Sequence, residues 1–224
     1  MLFFKLAILG FGAFLIFKGY EEFTLSRSAD STPLALDLSA LEAGTFPDNN
    51  YLEINEHWAV FPYAVYNYQE EAERRDEPSD AAKVNYLYYP IISETHPFNV
   101  AVDELYLQFP DGNIPDELVP AFQKPAVLVK SKRFKTIGQI PNEWMPVESI
   151  SGLVINRVAR FQPDEPALLL ESFPDLDFEQ VIVLEDGRKP SSASVAMLMA
   201  GGGAFVVLIG IGAFLDTGKR KRPA

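Results

Sequence analysis

The chain contains no cysteine and only two histidines, His57 and His96, among 224 residues. Without cysteine there is no disulfide framework, no thiolate metal site, no thiol nucleophile and no dithiol redox chemistry. A zinc centre would have to combine the two histidines with carboxylates. Glu56-His57 and Glu94-Thr95-His96 are the metal candidates, on the condition that their strands pair. Basic side chains are also in deficit, 19 Lys and Arg against 31 Asp and Glu. All but three of the acids lie between Phe23 and Ser194, with 13 of the bases, so that segment carries about −15. Such a charge disfavours nucleic acid as a partner. No G-x-S-x-G elbow, P-loop, EF-hand loop or dinucleotide fingerprint occurs, and no cofactor is expected. Lys130-Ser131-Lys132 makes no Ser-Lys pair within one strand, because neighbours point to opposite faces. The carboxylate pairs Asp164/Glu165 and Asp175/Asp177 fit helix-capping and turn roles.

What the chain has in abundance is apolar length at both ends. Val195 to Leu215 holds no charge, enough at about 1.5 Å per residue to cross a hydrocarbon core about 30 Å thick. Asp216 and the basic residues Lys219, Arg220, Lys221 and Arg222 follow. The N-terminal run MLFFKLAILGFGAFLIF is interrupted by Lys5, whose long stem can carry its charge to the headgroups. The nearest small-x-small pair, Ser26 and Ser28, lies well beyond that run, so an uncleaved anchor is expected rather than a removed signal. Basic flanks stay cytoplasmic, which places both termini inside and the middle on the other side. A cell inner (plasma) membrane with a periplasmic or extracytoplasmic domain is the expectation, an organelle membrane the alternative. The basic tail also suits anionic lipid.

Inside the second span Ser192, Ala196, Ala200 and Ala204 recur every four residues, beside Gly201, Gly202 and Gly203. Small residues let helices approach closely, so Ala196, Ala200, Gly203 and Ala204 form a candidate packing face. Its partner is either the first helix, where Ala7, Gly10 and Gly12 are small, or another subunit.

The expected division is an anchor over 1–19, a stalk over 20–50, an α+β domain over 51–187, a linker over 188–194, a span over 195–215 and a tail over 216–224. Within the stalk, residues 36–43 suggest a short helix. YLEINEHWAVFPYAVYNYQ and KVNYLYYPIIS are rich in β-branched and aromatic residues and read as an antiparallel pair joined by an acidic loop. Tyr63, Tyr66, Tyr68, Tyr86, Tyr88 and Tyr89 are expected to pack the sheet. NVAVDELYLQF is open between strand and helix. AVLVKSKRFKTIG and SGLVINRVARF read as strands. Asp164 is expected to cap a short helix ended by Pro174, QVIVLED to form the last strand, and Asp186-Gly187 to turn. That strand–helix–strand order makes a right-handed crossover if the strands are parallel. Phe-Pro-Asp occurs at 46–48, 109–111 and 173–175, which reads as shared turn punctuation rather than a repeat.

The basic run Lys130, Lys132, Arg133 and Lys135 stands out in an acidic domain. As a strand it puts Lys130 and Lys132 on one face and Arg133 and Lys135 on the other. Two readings stay open: a charged edge guarded against aggregation, or a docking strip for an acidic partner or headgroups.

In outline, two end helices enclosing a β-rich domain, the chain is similar to surfeit-type oxidase assembly factors and to mitochondrial two-pass ubiquitin ligases. The likeness is one of architecture, with no motif of either family and no RING. The expected function is a non-catalytic interaction or assembly subunit of a membrane complex, bound to lipid and to other membrane proteins or a second copy of itself. A ligand- or stress-sensing domain and a membrane-tethered hydrolase are the alternatives.

Overall fold

The computed structural model describes residues 2–69, 78–111, 113–118, 120, 122, 124–156, 161 and 163–219. They form two compact units: Ser31–Lys189, and a helical hairpin built from the segments on either side of it. The architecture is mixed α+β, a curled sheet with a long apolar helix at each end of the chain.

In the hairpin, α1 (Leu2–Ser28) lies antiparallel to α5 (Ala193–Lys219). Each is long and apolar enough to cross a membrane, the second over Ala193–Phe214. Residues 20–28, expected as the start of a stalk, continue α1 instead. The seam is built on glycine: a Cβ on Gly12 would meet the Gly203 carbonyl at 2.9 Å, and one on Gly19 would meet the Ala200 amide nitrogen at 2.5 Å. Gly203 faces Ile16, and Gly210 faces Leu9 and Ile8. Ala196, Ala200, Gly203, Val207 and Gly210 therefore alternate spacings of four and three, the period of a left-handed helix pair. At the open end of the hairpin Ser191 Oγ donates to Glu22 Oε2 at 2.6 Å, and toward the other end Lys5 Nζ donates to the Ala213 carbonyl.

In Ser31–Lys189 one sheet is ordered β1 (Leu34–Leu36), β2 (Tyr51–Ile54), β8 (Ile150–Val154), β9 (Ile182–Asp186), β6 (Val127–Ser131), β5 (Val84–Ile92), β3 (His57–Val60), β7 (Trp144–Val147), with β4 (Val65–Tyr68) also on β5. β2 and β3 are neighbours in the chain, as are β7 and β8. The first bent pair lies antiparallel to the second, with Ile54 opposite Ile150 and His57 opposite Val147. The ladder from β3 through β5, β6, β9 and β8 thus returns over the β7–β8 bend to β3. Alternation assigns the faces: Val127 and Val129 of β6 join Leu87, Tyr89 and Ile91 of β5 in one core, while Leu128, Tyr86 and Tyr88 point to the other.

The first aromatic run is not one strand. Its β3 and β4 portions occupy successive stretches of the same edge of β5, separated by a 3₁₀ turn at Phe61–Tyr63. Pro90 of β5 falls in the gap between them, where no strand among the described residues pairs along that edge. Proline lacks the N–H that a ladder needs, so the break tolerates it. Residues 70–77 of the acidic loop lie outside the described residues.

β1 and the short α2 (Leu38–Glu42) belong to this unit, although the sequence read 20–50 as a stalk. Leu38 and Leu41 are buried in the first core. α3 (Pro97–Gln108) resolves the open case of NVAVDELYLQF as helix. α4 (Glu165–Ser172) covers the second core through Leu169. The condition for a crossover between β8 and β9 is not met, because the two run antiparallel; β9 is parallel to β6 instead. Two Phe-Pro-Asp copies share one job. Phe109 and Phe173 close α3 and α4, each donating its N–H to the carbonyl four residues back, at 2.8 Å, and the proline then stops the helix.

Candidate functional site

The second half of AVLVKSKRFKTIG is not a strand: β6 ends at Ser131 and lies between β5 and β9 in the middle of the sheet. Neither the edge reading nor the two-face reading of the basic run survives that position. Lys130 is 6 % exposed and pairs with Glu165, itself 1 % exposed, at the start of α4. Its ammonium lies 4.9 Å from the Tyr86 ring centroid and 5.5 Å from that of Tyr88. Lys132 pairs with Glu185 at 2.9 Å and Arg133 with Asp186 at 3.2 Å. Lys135 Nζ donates to the Lys132 carbonyl at 2.7 Å. Every cation of the run is therefore engaged within its own domain, Lys132 and Arg133 with the acidic end of β9 and Lys130 with the start of α4. Burial alone would raise the Glu185 carboxyl, but hydrogen bonds from Lys132 and Arg188 outweigh it and hold the group below its ordinary value.

Asp164 stands at the N-terminal boundary of α4 as expected, but its side chain makes no capping bond. It accepts instead from the Tyr86 hydroxyl at 2.8 Å and from Asn67 Nδ2 at 3.2 Å. Burial, with Asp164 and Glu165 beside it, raises the Tyr86 phenol well above its usual range, and burial does the same for Tyr88 and Tyr89. The tyrosines on β5 are thus packing groups in their neutral form.

The histidines lie in different places. His96 precedes α3, its Nδ1 accepting from the Phe98 N–H at 3.2 Å while its ring stacks on Phe122. His57 lines a separate cavity. Among the described residues no group of three or more His, Cys, Asp or Glu is placed to hold a metal ion. The basic flank falls at the edge of what is described: Lys219 ends α5, and Arg220, Lys221 and Arg222 lie outside the described residues. Of the expected helix-packing set, Ala196, Ala200 and Gly203 face α1, whereas Ala204 is exposed. A four-residue repeat drifts around a 3.6-residue helix, so the contact leaves Ala204 for Gly203.

The cavity over His57 holds about 920 Å³, within the range of small-molecule sites. Four segments build it: Asp37 and Ser39 at the start of α2, Asn55 to Trp58 around the β2–β3 bend, Ser93 to Thr95 after β5, and Pro146 to Glu148 at the β7–β8 bend. The two bends of the curled sheet place its opposite walls. Glu42 ties the third wall down, accepting from the Ser93 N–H at 2.8 Å and from the Ser93 hydroxyl at 2.5 Å. Asp37, Glu56, Glu94 and Glu148 line it, and no Lys or Arg lines it among the described residues.

His57 is 3 % exposed, and its Nδ1 lies 2.8 Å from the Asn55 carbonyl. A carbonyl only accepts, so Nδ1 carries the proton and Nε2 presents a lone pair. That Nε2 is buried and has no hydrogen-bond partner among the described residues. Burial pushes the His57 pKa below its ordinary 6.5, against the opposing pull of the Asn55 bond, so the ring is neutral at pH 7. Beside it Trp58 is half-buried. The sequence singled out His57 with Glu56, and Glu94, as metal candidates, and these three do line one cavity; Asp37 and Glu148 come from separate segments that no spacing announces.

Comparison of the chain with protein-family models, with curated proteins and with solved structures finds no match.

Proposed function

We propose that this protein is a two-pass membrane subunit that holds the Ser31–Lys189 domain on the extracytoplasmic side and acts as a non-catalytic interaction or assembly partner within a membrane complex. The observation that carries this reading is the division of the glycines in α5. Gly203 and Gly210 are used against α1, but Gly201, Gly202 and Gly212 have nothing within 4 Å of where a Cβ would be. Gly201 and Gly212 are about three turns apart and share the helix side away from α1. Glycine weakens a helix by roughly 1 kcal/mol relative to alanine, so smooth outer positions are costly unless another helix uses them. Large apolar side chains flank that side, including Leu198, Phe205 and Leu208, as a lipid- or helix-facing surface requires.

The test is affinity purification from native membranes in mild detergent, with mass spectrometry of the proteins recovered. One or two membrane proteins in constant ratio, lost on Gly201→Leu with Gly212→Leu, support the assembly role. A lone monomer, or partners retained in that double variant, overturns it. Sidedness is read separately. The natural chain lacks cysteine, so a single Asp103→Cys is labelled by an impermeant maleimide from outside if the domain is extracytoplasmic.

A further inference from the structure

A second cavity, of about 590 Å³, is lined by the start of α3, the end of α4 and the loop ahead of β6. Its floor is aromatic. Phe98 and Phe173 are buried, and half-buried Phe122 lies between them, its ring centroid 5.0 Å from the first and 6.5 Å from the second. Tyr63 stacks on Phe122 at 4.7 Å, so the rings hold one another in place without a ligand. An apolar recess of this volume with a few polar groups at its rim is the usual form of a small-molecule site. The polar groups here are of both signs. His96 Nδ1 accepts from the Phe98 N–H at 3.2 Å, so the neutral ring carries its proton on Nε2 and can donate it. Lys124 enters from the loop and Asp175 from the turn after α4. Both are exposed, and neither has a hydrogen-bond or ion-pair partner among the described residues, unlike Lys130, Lys132 and Arg133.

The geometry points to this cavity as a binding site for a free α-amino acid with an aromatic or branched apolar side chain. The side chain lies against Phe98, Phe122 and Phe173, the carboxylate takes Lys124 and the His96 Nε2–H, and the ammonium takes Asp175. Charge complementarity selects this class. An apolar monocarboxylate leaves Asp175 without a counterion, and an apolar amine leaves Lys124 without one, whereas a zwitterion answers both. Burial keeps His96 below its ordinary 6.5, so at pH 7 it serves as a neutral donor and adds no second positive charge. The assembly reading rests on the outer glycines of α5 and makes no use of this cavity, so either stands if the other falls.

The experiment is isothermal titration calorimetry of the full chain in nonionic detergent with L-phenylalanine and with L-leucine. Phenylacetate, which lacks the ammonium, and phenethylamine, which lacks the carboxylate, are titrated beside them. Saturable binding of an amino acid at one site, with both analogues weaker, is the expected result. Lys124→Met and Asp175→Asn should each weaken L-phenylalanine by about five-fold, the equivalent of about 1 kcal/mol for one exposed charge pair. The losses should also sort by group: Lys124→Met leaves phenethylamine unchanged, and Asp175→Asn leaves phenylacetate unchanged. Glu104→Gln, on the exposed side of α3 and outside the cavity, should leave every affinity unchanged. Phe122→Ala removes the central ring and should abolish binding. No saturable heat with either amino acid overturns the site. So does an analogue that binds as tightly as L-phenylalanine, or an affinity that Lys124→Met and Asp175→Asn alter no more than Glu104→Gln. Lys124 and Asp175 are exposed, so their variants keep the test valid even if Phe122→Ala fails to fold.

Discussion

Lys130 and Glu165, 35 residues apart in the chain, form an ion pair inside the domain, with the ammonium over the Tyr86 and Tyr88 rings. The pair fixes α4 to the face of β6. It also places Asp164 where the Tyr86 hydroxyl reaches it. An acid in the first turn of α4 is favourable against the helix dipole, which adds to the charge pairing.

Breaking that pair from one side leaves a buried charge without its counterion. Glu165→Gln or Lys130→Met should each cost about 3–5 kcal/mol of folding stability. The double change Lys130→Met with Glu165→Leu should restore most of it, because apolar groups of similar volume avoid the desolvation. Urea unfolding followed by the fluorescence of Trp58 and Trp144 reads both. Equal losses in single and double variants would show that α4 is held by its leucines and not by the pair.

The helix seam predicts a sharp asymmetry between neighbours. Gly203→Leu should separate α1 from α5, because a Cβ there already meets the Ile16 amide nitrogen at 2.7 Å. Ala204→Leu should not, since Ala204 is exposed. A disulfide between Leu9→Cys and Gly210→Cys, in a chain with no native cysteine, should form readily in the Ala204 variant and poorly in the Gly203 variant.

Gly152 lies opposite Asp186 in the β8–β9 ladder, and a Cβ on it would be driven into the Glu185 carbonyl. Gly152→Val should destabilise the domain by about 1–3 kcal/mol through overpacking, visible as a lower melting temperature. Gly44→Ala tests a different cause. Its Cβ meets nothing within 4 Å, but its φ of 82° strains any side chain, so a smaller loss is expected.

Burial lowers the pKa of His57 below 6.5 in the folded chain. The unfolded state then binds more protons, so stability is full above pH 6.5 and falls as pH drops through the folded value. His96 shifts in the same direction, by burial against the pull of Glu42. Glu185, held below its ordinary 4.5, loses its contribution only at lower pH and does not overlap this window. Melting temperature should therefore decline between pH 7 and 5, and His57→Gln should flatten part of that decline. A wild-type curve already flat over the same range would contradict it.

Local chemistry read well from the sequence. Asp186-Gly187 turns as expected, with Gly187 at φ 71° and its N–H on the Ser151 carbonyl at 2.9 Å. The short helix read over 36–43 is α2, and the helix expected after Asp164 is α4. The two aromatic runs do pair antiparallel, through β4 and β5. The basic run misled because its charge pattern was read against strand geometry. A strand assignment makes Lys132 and Arg133 opposite-facing, but after Ser131 the chain leaves the sheet and both reach the acids ending β9.

Hydrophobic length and turn chemistry are properties of neighbouring residues, so the two long apolar helices, the mixed α+β middle and most turns are legible along the chain. Partnership between distant residues is not written in any local spacing. Three-dimensional packing makes Gly203 and Gly210 serve the hairpin while Gly201 and Gly212 do not, because helix phase relative to α1 selects them. It alone turned Lys130 inward, through β6 taking a central place beside β9. And it alone gathered four acids around a neutral histidine, because the β2–β3 and β7–β8 bends bring separate segments to one cavity.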